Sequence, residues 1–194
     1  MRLAVVCLLA SSLLPAVSQA QVPVLAISPA PDSQVTFYVK ASVELRGTFD
    51  KWDATVTFTS ADVTSGVLDI KIQADSVNSG SGMKDGKLKS KDFFDVKQDP
   101  LITFHSTKFT PIGPDTVKVD GDFTIRGVTK PESLTFTVTG AGTGEGTIKG
   151  TMAFDRKDYG MTHGIPFVTI ADRVEVTVDL KGKRVSGPPV KLSQ

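Results

Sequence analysis

Cysteine is almost missing from this chain of 194 residues, and neither sign of charge is in excess. The single cysteine, Cys7, lies within an apolar run near the N-terminus. The rest of the chain has no thiol, which excludes a disulfide framework and catalysis by thiol exchange. With 22 basic and 21 acidic residues, the net charge is +1. No overall field therefore favours nucleic acid, and we expect no nucleic-acid partner.

Histidine is also scarce, with only His105 and His163 in the sequence. Alternation places His105 on the outward face of a strand and His163 falls in a loop, which makes a weak case for zinc. The glycine-rich stretch 140–146 joins two apolar strands and indicates a hairpin loop, not a phosphate cradle. No Gly-x-Ser-x-Gly nucleophile elbow occurs. The sequence thus predicts no catalytic residue, no metal site and no enzyme activity.

The first 20 residues have the pattern of a signal peptide. Arg2 precedes an apolar run at 3–17, and the small residues at 18–20 form a cleavage site. A transmembrane anchor is the alternative, but the run is shorter than the roughly 20 residues that a membrane-spanning helix needs. We expect cleavage after Ala20 and export. The remainder then divides into an extended lead at 21–33, one β-domain at 34–182 and a C-terminal tail at 183–194.

Apolar and polar residues alternate through most of the chain after residue 34, which is typical of half-buried strands. Within 101–109, for example, Ile102 and Phe104 point one way and His105 the other. The pattern predicts about eight long strands, and the lack of βαβ crossovers indicates an antiparallel sheet. The predicted fold is all-β: an extended antiparallel barrel of about eight strands, with one or two short helices closing one end.

Phenylalanine dominates the inward rows: the chain has 11 Phe against 1 Trp and 2 Tyr. Its side chain has no polar group, so these positions require only contact and exclusion of water. Two interpretations stay open, because an eight-stranded barrel either fills itself with side chains or holds one small ligand.

The stretch 76–100 interrupts the alternation. Residues 83–91 predict a short helix with Met83 and Leu88 inward, and Phe93 and Phe94 follow as a plug over one end of the barrel. The four lysines between 84 and 91 form a solvated face, or they attract an anionic head group or a membrane surface.

Four motifs occur in order along the β-domain: Asp92–Val96, Pro100–Phe104 with Ser106, Gly121–Pro131 and Asp155–Met161. Together they closely resemble the YceI-like family of lipocalin-like proteins that bind polyisoprenoids. The resemblance implies an extended lipocalin-like barrel that holds a long isoprenoid, such as an isoprenoid quinone or a polyprenyl phosphate, with no other cofactor. It also implies a periplasmic location, and since the family includes dimers, a homodimer is one expected state.

The sequence departs from the family near its start. Many members carry a His-Ser pair where this chain has Asp32-Ser33. Any role of that histidine in placing a polar head group is therefore not carried over.

The resemblance and the inward rows together define the predicted site. The apolar tunnel is expected to consist of inward aromatic and aliphatic residues: Phe37, Phe49, Phe58, Phe94, Phe104, Phe123, Ile125, Phe136, Met152 and Phe154. The mouth and head-group site is expected to consist of Arg126, Arg156, Tyr159 and Met161. A structural alternative applies to the arginines, because Arg126 can pair with a carboxylate and Arg156 can tie down a turn.

Two further functions stay open from the sequence. The first is a hydrolase or isomerase acting on a lipid pyrophosphate, which would need an acid–base group such as Asp155 or Asp158 at the mouth. The second is a barrel with a solid core that serves as a structural or stress-response partner of another protein.

Overall fold

A computed structural model describes residues 21–28, 31–43, 45–164 and 167–192. The predicted signal peptide lies outside the described residues. Strands dominate, and they form one curled antiparallel sheet with a single α-helix, as the sequence predicts. The elements in chain order are β1 (Val24–Ile27), β2 (Gln34–Ala41), β3 (Leu45–Phe49), β4 (Trp52–Phe58), β5 (Gly66–Gln73), β6 (Val77–Asn78), α1 (Gly82–Lys89), β7 (Leu101–Pro111), β8 (Thr116–Ile125), β9 (Val128–Thr139), β10 (Glu145–Asp155) and β11 (Ile170–Ser186).

The described part of the chain has 11 strands, more than the expected eight. Two of the three additional strands arise where the chain bends, and the third is β1, which lies in the predicted extended lead. The sheet order is β4-β5-β7-β8-β9-β10-β11-β2-β3-β6, so its two end strands are the direct continuations of β3 and β5. Backbone hydrogen bonds from Asp50 N to Ser76 O (3.1 Å) and from Gln73 N to Lys51 O (2.9 Å) bridge the bends. If β3–β4 and β5–β6 each count as one bent strand, β2 to β11 form eight segments in a ring.

Strand β1 is bonded on one side only. It pairs with β11 from Val24 opposite Ser186 to Ile27 opposite Gly182. Its other side packs beside β4, yet among the described residues no ladder joins β1 to β4. The wall of the barrel therefore has a seam between β1 and β4 that side chains, and not backbone hydrogen bonds, keep closed.

Helix α1 and the turns after it close one end of the barrel, which we call the helix end. The helix is short and contains Gly82 and Gly86, both poor helix formers, so tertiary contacts must hold it. Asp85 Oδ1 accepts hydrogen bonds from the backbone N (2.8 Å) and Oγ (2.6 Å) of Ser79. Leu88 is buried together with Phe93 and Phe94. Met83 was expected to point inward, but it is exposed, because only one side of this short helix meets the barrel.

The opposite end carries the turns 59–65, 111–115 and 140–144, and we call it the turn end. Strand β11 continues to Ser186, past the start of the predicted tail, and residues 190–192 lie against the turn 59–65. No helix among the described residues is long and apolar enough to span a membrane.

Candidate functional site

The register of the strands brings the inward apolar rows together inside the barrel. Ile70, Phe104 and Phe123 stand opposite one another across β5, β7 and β8. Val174 of β11 faces Phe154 of β10 on one side and Val39 of β2 on the other. All ten residues of the predicted tunnel are buried. A one-residue slip in any strand would turn its whole apolar row to solvent, so the alternation fixes the register.

An apolar cavity of about 120 Å³ lies in the barrel at the turn end; we call it the larger cavity, to distinguish it from one of about 60 Å³ at the helix end. Its wall is apolar except for Thr139, Glu145 and Arg184, which lie around the turn 140–144 at the rim. Strands from both sides of the β1–β4 seam contribute to it. Its apolar side chains are Leu25, Ile27, Val56, Phe58, Val63, Leu68, Phe109, Val117, Phe136, Val138, Ala141, Ile148, Leu180, Val190 and Leu192.

A smaller cavity, of about 60 Å³, lies at the helix end beneath α1. Leu88, Phe93 and Phe94 form its roof, so the predicted aromatic plug lies over it. The rings of Phe37, Phe49 and Phe94 follow one another with centroids 5.7 and 5.8 Å apart. The remainder of its wall consists of Val35, Val39, Leu45, Ile72, Ile102, Phe123, Ile125, Phe154, Arg156, Met161, Ile170, Val174 and Val176.

The ten predicted tunnel residues do not line one continuous space. Six of them surround the smaller cavity: Phe37, Phe49, Phe94, Phe123, Ile125 and Phe154. Phe58 and Phe136 line the larger one. Phe104 and Met152 line neither; they are buried with Ile70, Val119 and Leu134. A packed layer between the two cavities therefore divides the interior.

Glycines on the inner face of the sheet allow several phenylalanine rings to lie along the wall. Phe37 is paired with Gly47, Phe58 with Gly66 and Phe136 with Gly150. A β-carbon added at Gly47 would lie 2.9 Å from the Phe37 ring, and one at Gly150 would collide with the ring of Phe136. Rings that fold over a glycine protrude less into the barrel. Phe58 and Phe136 lie in this way beside the larger cavity, and Phe104 lies over Gly121 in the packed layer.

Arg156 was predicted at the mouth, and the structure places it under the loop between β10 and β11. Its side chain is only 7% exposed. Nε donates to Ala171 O at 3.2 Å, and Nη1 donates to His163 O at 3.0 Å and to Met161 O. Nη2 pairs with Asp172 Oδ1 at 3.1 Å. Protein acceptors thus occupy the donors of this guanidinium, which ties residues 161–163 and the start of β11 to the end of β10.

The contribution of Asp172 to the stability of the fold depends on pH, and this dependence can be measured. The hydrogen bond from Lys157 Nζ (2.8 Å) is the main cause that lowers the pKa of its carboxyl, and Arg156 adds to the shift. A carboxyl with a lowered folded-state pKa stabilises the fold above its ordinary pKa of about 3.9, and this stabilisation disappears as the pH falls through the folded-state value. We expect the melting temperature of Asp172→Asn to fall less than that of wild type between neutral pH and about pH 3. Parallel melting curves of the two proteins would contradict this assignment.

The other predicted mouth residues also lie at the helix end. Arg126 and Gly127, both with positive φ, form the two-residue turn between β8 and β9, as a type I′ hairpin requires. The Arg126 guanidinium donates to Lys91 O at 2.9 Å and to Gly160 O.

Tyr159 is 1% exposed and donates to Glu132 Oε1 at 3.0 Å. Burial raises the pKa of its hydroxyl. Met161 is buried and lines the smaller cavity.

The pair Asp32-Ser33 lies next to β11. Ser33 is fully buried, and its Oγ accepts a hydrogen bond from Lys181 N at 2.9 Å. Asp32 forms an exposed ion pair with Lys181 Nζ at 3.3 Å. The pair thus joins the start of β2 to the adjacent strand.

Acidic and histidine side chains elsewhere have structural partners. His105 Nδ1 lies 2.7 Å from Asp69 on the outer surface, and His163 lies 3.9 Å from Asp92.

Asp155 caps the turn 156–159 by accepting a hydrogen bond from Lys157 N, and Asp158 pairs with Lys130 at 3.2 Å. No group of three or more His, Cys, Asp or Glu residues suited to a metal ion occurs in the described ranges.

Comparison with known proteins gives the family. The profile of the YceI-like domain matches residues 27–182, from the end of β1 to the part of β11 that lines the larger cavity. The chain belongs to the YceI-like family. A UPF0312 protein of Ectopseudomonas mendocina is 27% identical over 145 residues, 72% of this chain and 75% of that protein. A UPF0312 protein of Pseudomonas savastanoi pv. phaseolicola is 35% identical over 98 residues, 50% of this chain and 51% of that relative. This match therefore spans about half the length of the relative.

Solved structures share the fold. BcnA of Burkholderia cenocepacia superposes with a TM-score of 0.70 at 28% identity, over 77% of this chain and 95% of BcnA. A polyisoprenoid binding domain from Saccharophagus degradans superposes with a TM-score of 0.66, over 84% of this chain and 99% of that domain. At 14% identity, the second likeness concerns the fold alone. The comparisons thus establish the YceI-like family and its fold for this chain.

Proposed function

We propose that this protein binds an isoprenoid lipid with its hydrocarbon chain inserted from the turn end, and that it stores or carries this lipid in the periplasm without chemistry of its own. The observation that carries the proposal is the larger cavity, whose polar side chains are confined to Thr139, Glu145 and Arg184 at the rim. The similarity to a polyisoprenoid binding domain supports the same ligand class. Contact with a membrane surface and dimerisation stay predictions.

The chemistry of the wall suits a branched hydrocarbon. An isoprenoid chain has no hydrogen-bonding group along its length, so it loses no hydrogen bond with water when it enters an apolar space. Each buried carbon contributes about 0.8 kcal/mol. Arg184 donates one hydrogen bond to Gly187 O and has further N–H groups for a polar end that stays outside, whereas Glu145 is paired with Lys183. An isoprenoid quinone and a polyprenyl phosphate both meet these conditions.

The size of the cavity limits how much of such a chain enters. An apolar cavity of about 150 Å³ holds one benzene molecule, so the larger cavity, at about 120 Å³, holds about one isoprene unit. A longer chain requires the layer around Phe104 and Met152 to part, or the turn end to open. Met152 is suited to such a change, because its unbranched side chain adapts to irregular spaces.

The packed layer between the cavities favours a second candidate function: a barrel with a mostly solid core that acts as a structural or stress-response partner. In that case the two cavities would be packing defects and would hold no lipid.

Native mass spectrometry of the protein purified from membrane-rich cells in mild detergent separates these functions. We expect a mass above that of the chain, and an extract containing a prenyl lipid. The extracted mass also distinguishes a quinone from a polyprenyl phosphate. If only the bare chain appears, and added farnesol and geranylgeraniol both fail to bind, the isoprenoid proposal is wrong and the solid-core function is favoured.

A further inference from the structure

The chain beyond β11 crosses the turn end of the barrel. We call residues 187–192 the strap. It begins at Gly187, whose φ of +79° favours glycine and where a β-carbon would collide with the carbonyl oxygen of Val22. Pro188 and Pro189 follow, and their fixed φ and missing N–H keep this part extended and outside the sheet. The sequence thus leads the chain sharply away from β11 and across the end of the barrel.

The far end of the strap is attached to the turn 59–65 by its backbone. Lys191 N donates to Ala61 O at 2.7 Å, and Val63 N donates to Lys191 O at 3.0 Å. These two bonds form an isolated parallel bridge between Lys191 and Asp62. At the near end, Arg184 Nη1 donates to Gly187 O at 3.2 Å. The attachment is slight compared with the ladders of the barrel strands.

The side chains of the strap take part in the larger cavity. Val190 and Leu192 are half-buried, pack against the core and line that cavity. They stand there with Leu25 and Ile27 of β1 and with Val56 of β4, the strands on either side of the seam. The strap therefore covers the cavity where the wall of the barrel has no backbone bonding. Its two apolar residues fill space that a hydrocarbon chain would use.

We propose that the strap is a removable closure of the larger cavity: Val190 and Leu192 occupy the ligand's space in the closed state, and release of Lys191 from the turn 59–65 admits the lipid. The inference rests on the proposed function, since it concerns access to the same cavity. If the released state makes up about 10% of the molecules, the closed strap weakens the apparent affinity about tenfold.

A disulfide across the bridge tests the closure in the full chain. Asp62→Cys/Lys191→Cys, made in a Cys7→Ser background, fixes the strap when oxidised and frees it when reduced. The probe is dansyl-farnesol, with binding and release followed by stopped-flow fluorescence. We expect the oxidised protein to bind and release the probe at least about tenfold more slowly than the reduced protein. The single variants Asp62→Cys and Lys191→Cys carry the same side-chain losses without the link and should not respond to oxidation.

A second variant opens the strap without a cross-link. Val190→Ser/Leu192→Ser removes the apolar contacts, and we expect it to bind dansyl-farnesol about tenfold more tightly than wild type. Val185→Ser is the matched control, because Val185 is exposed on the outer face and does not line the cavity. Equal rates in the oxidised and reduced protein, or weaker binding by the double serine variant, would contradict the proposal that the strap closes the cavity. Neither result would count against the lipid site itself. If no variant binds the probe, the proposed function itself fails.

Discussion

Gly182→Phe is expected to abolish isoprenoid binding while the barrel stays folded. Gly182 faces inward on β11, opposite Gly146 of β10 and Ile27 of β1. A β-carbon at this position would meet only the Cδ1 atoms of Ile148 and Ile27, both at 3.8 Å. Both isoleucines line the larger cavity, so a side chain attached here extends into the cavity without displacing backbone.

The expected loss of affinity is large because the ring takes the place of the ligand. Exclusion of one isoprene unit, at about 0.8 kcal/mol per carbon, removes about 4 kcal/mol of binding free energy. This corresponds to an increase of roughly a thousandfold in the Kd for farnesol. Stability should hold or rise, because the ring fills an apolar void. Fluorescence titration with dansyl-farnesol and a thermal melt measure the two effects separately.

Two controls make this result specific. Gly182→Ala adds one methyl group at ordinary contact distance and should lower the affinity only slightly. Gly142→Phe adds the same ring to the turn 140–144, at a position with no atom within 4 Å of the new β-carbon, and should leave binding unchanged. Unaltered affinity in Gly182→Phe would show that the lipid does not use the larger cavity, and the smaller cavity would then be the site to examine.

Much of the fold is readable from the alternation of apolar and polar residues. The inward rows of β8 and β10 follow the pattern residue by residue, because a strand that buries one face has only one acceptable register. In β7 the alternation holds as far as Ser106, and an irregularity before Lys108 then brings Phe109 to the inside. The end formed by α1, Phe93 and Phe94 is also readable, since a charged stretch that ends in two adjacent aromatics can bury only those aromatics. The number of strands is not, because each bend shifts the alternation, from Phe49 to Ala54 and from Ala74 to Val77, and such a shift does not show whether a strand bends or ends.

The alternation of apolar and polar residues could not predict the position of the larger cavity. Alternation shows that Phe104 and Phe136 point inward, but it does not show that Phe136 borders a void while Phe104, whose ring also lies over a glycine (Gly121), packs in the dividing layer. Inward glycines such as Gly182 were a usable signal, since a strand position without a side chain leaves room inside a barrel. The contribution of Val190 and Leu192 depends on tertiary contacts that no local pattern encodes.

Arg156→Met is expected to cause the largest loss of stability among the substitutions considered. The buried guanidinium supplies donors to the carbonyl oxygens of Met161 and His163, and to that of Ala171 at the start of β11. A methionine of similar length leaves these acceptors without donors, and each buried unsatisfied acceptor costs about 1–3 kcal/mol. Because Asp172 is partly exposed, solvent recovers much of the lost ion pair. We therefore expect a total loss of about 3 kcal/mol, which lowers the melting temperature by about 6–12 °C for a domain of this size.

The geometry of the guanidinium, more than its charge, should account for the effect. Arg156→Lys keeps the charge but lacks the planar array of five donors, so it cannot donate to all the carbonyl oxygens at once. Its stability should lie between that of wild type and that of Arg156→Met. Arg173→Met is the matched surface control: Arg173 is 69% exposed and pairs with Glu175, and exposed pairs contribute at most about 1 kcal/mol. In hydrogen exchange, Arg156→Met should lose protection first in residues 160–164 and at the start of β11. If its melting temperature matched that of Arg173→Met, the buried arginine would not be what fastens these residues to the barrel.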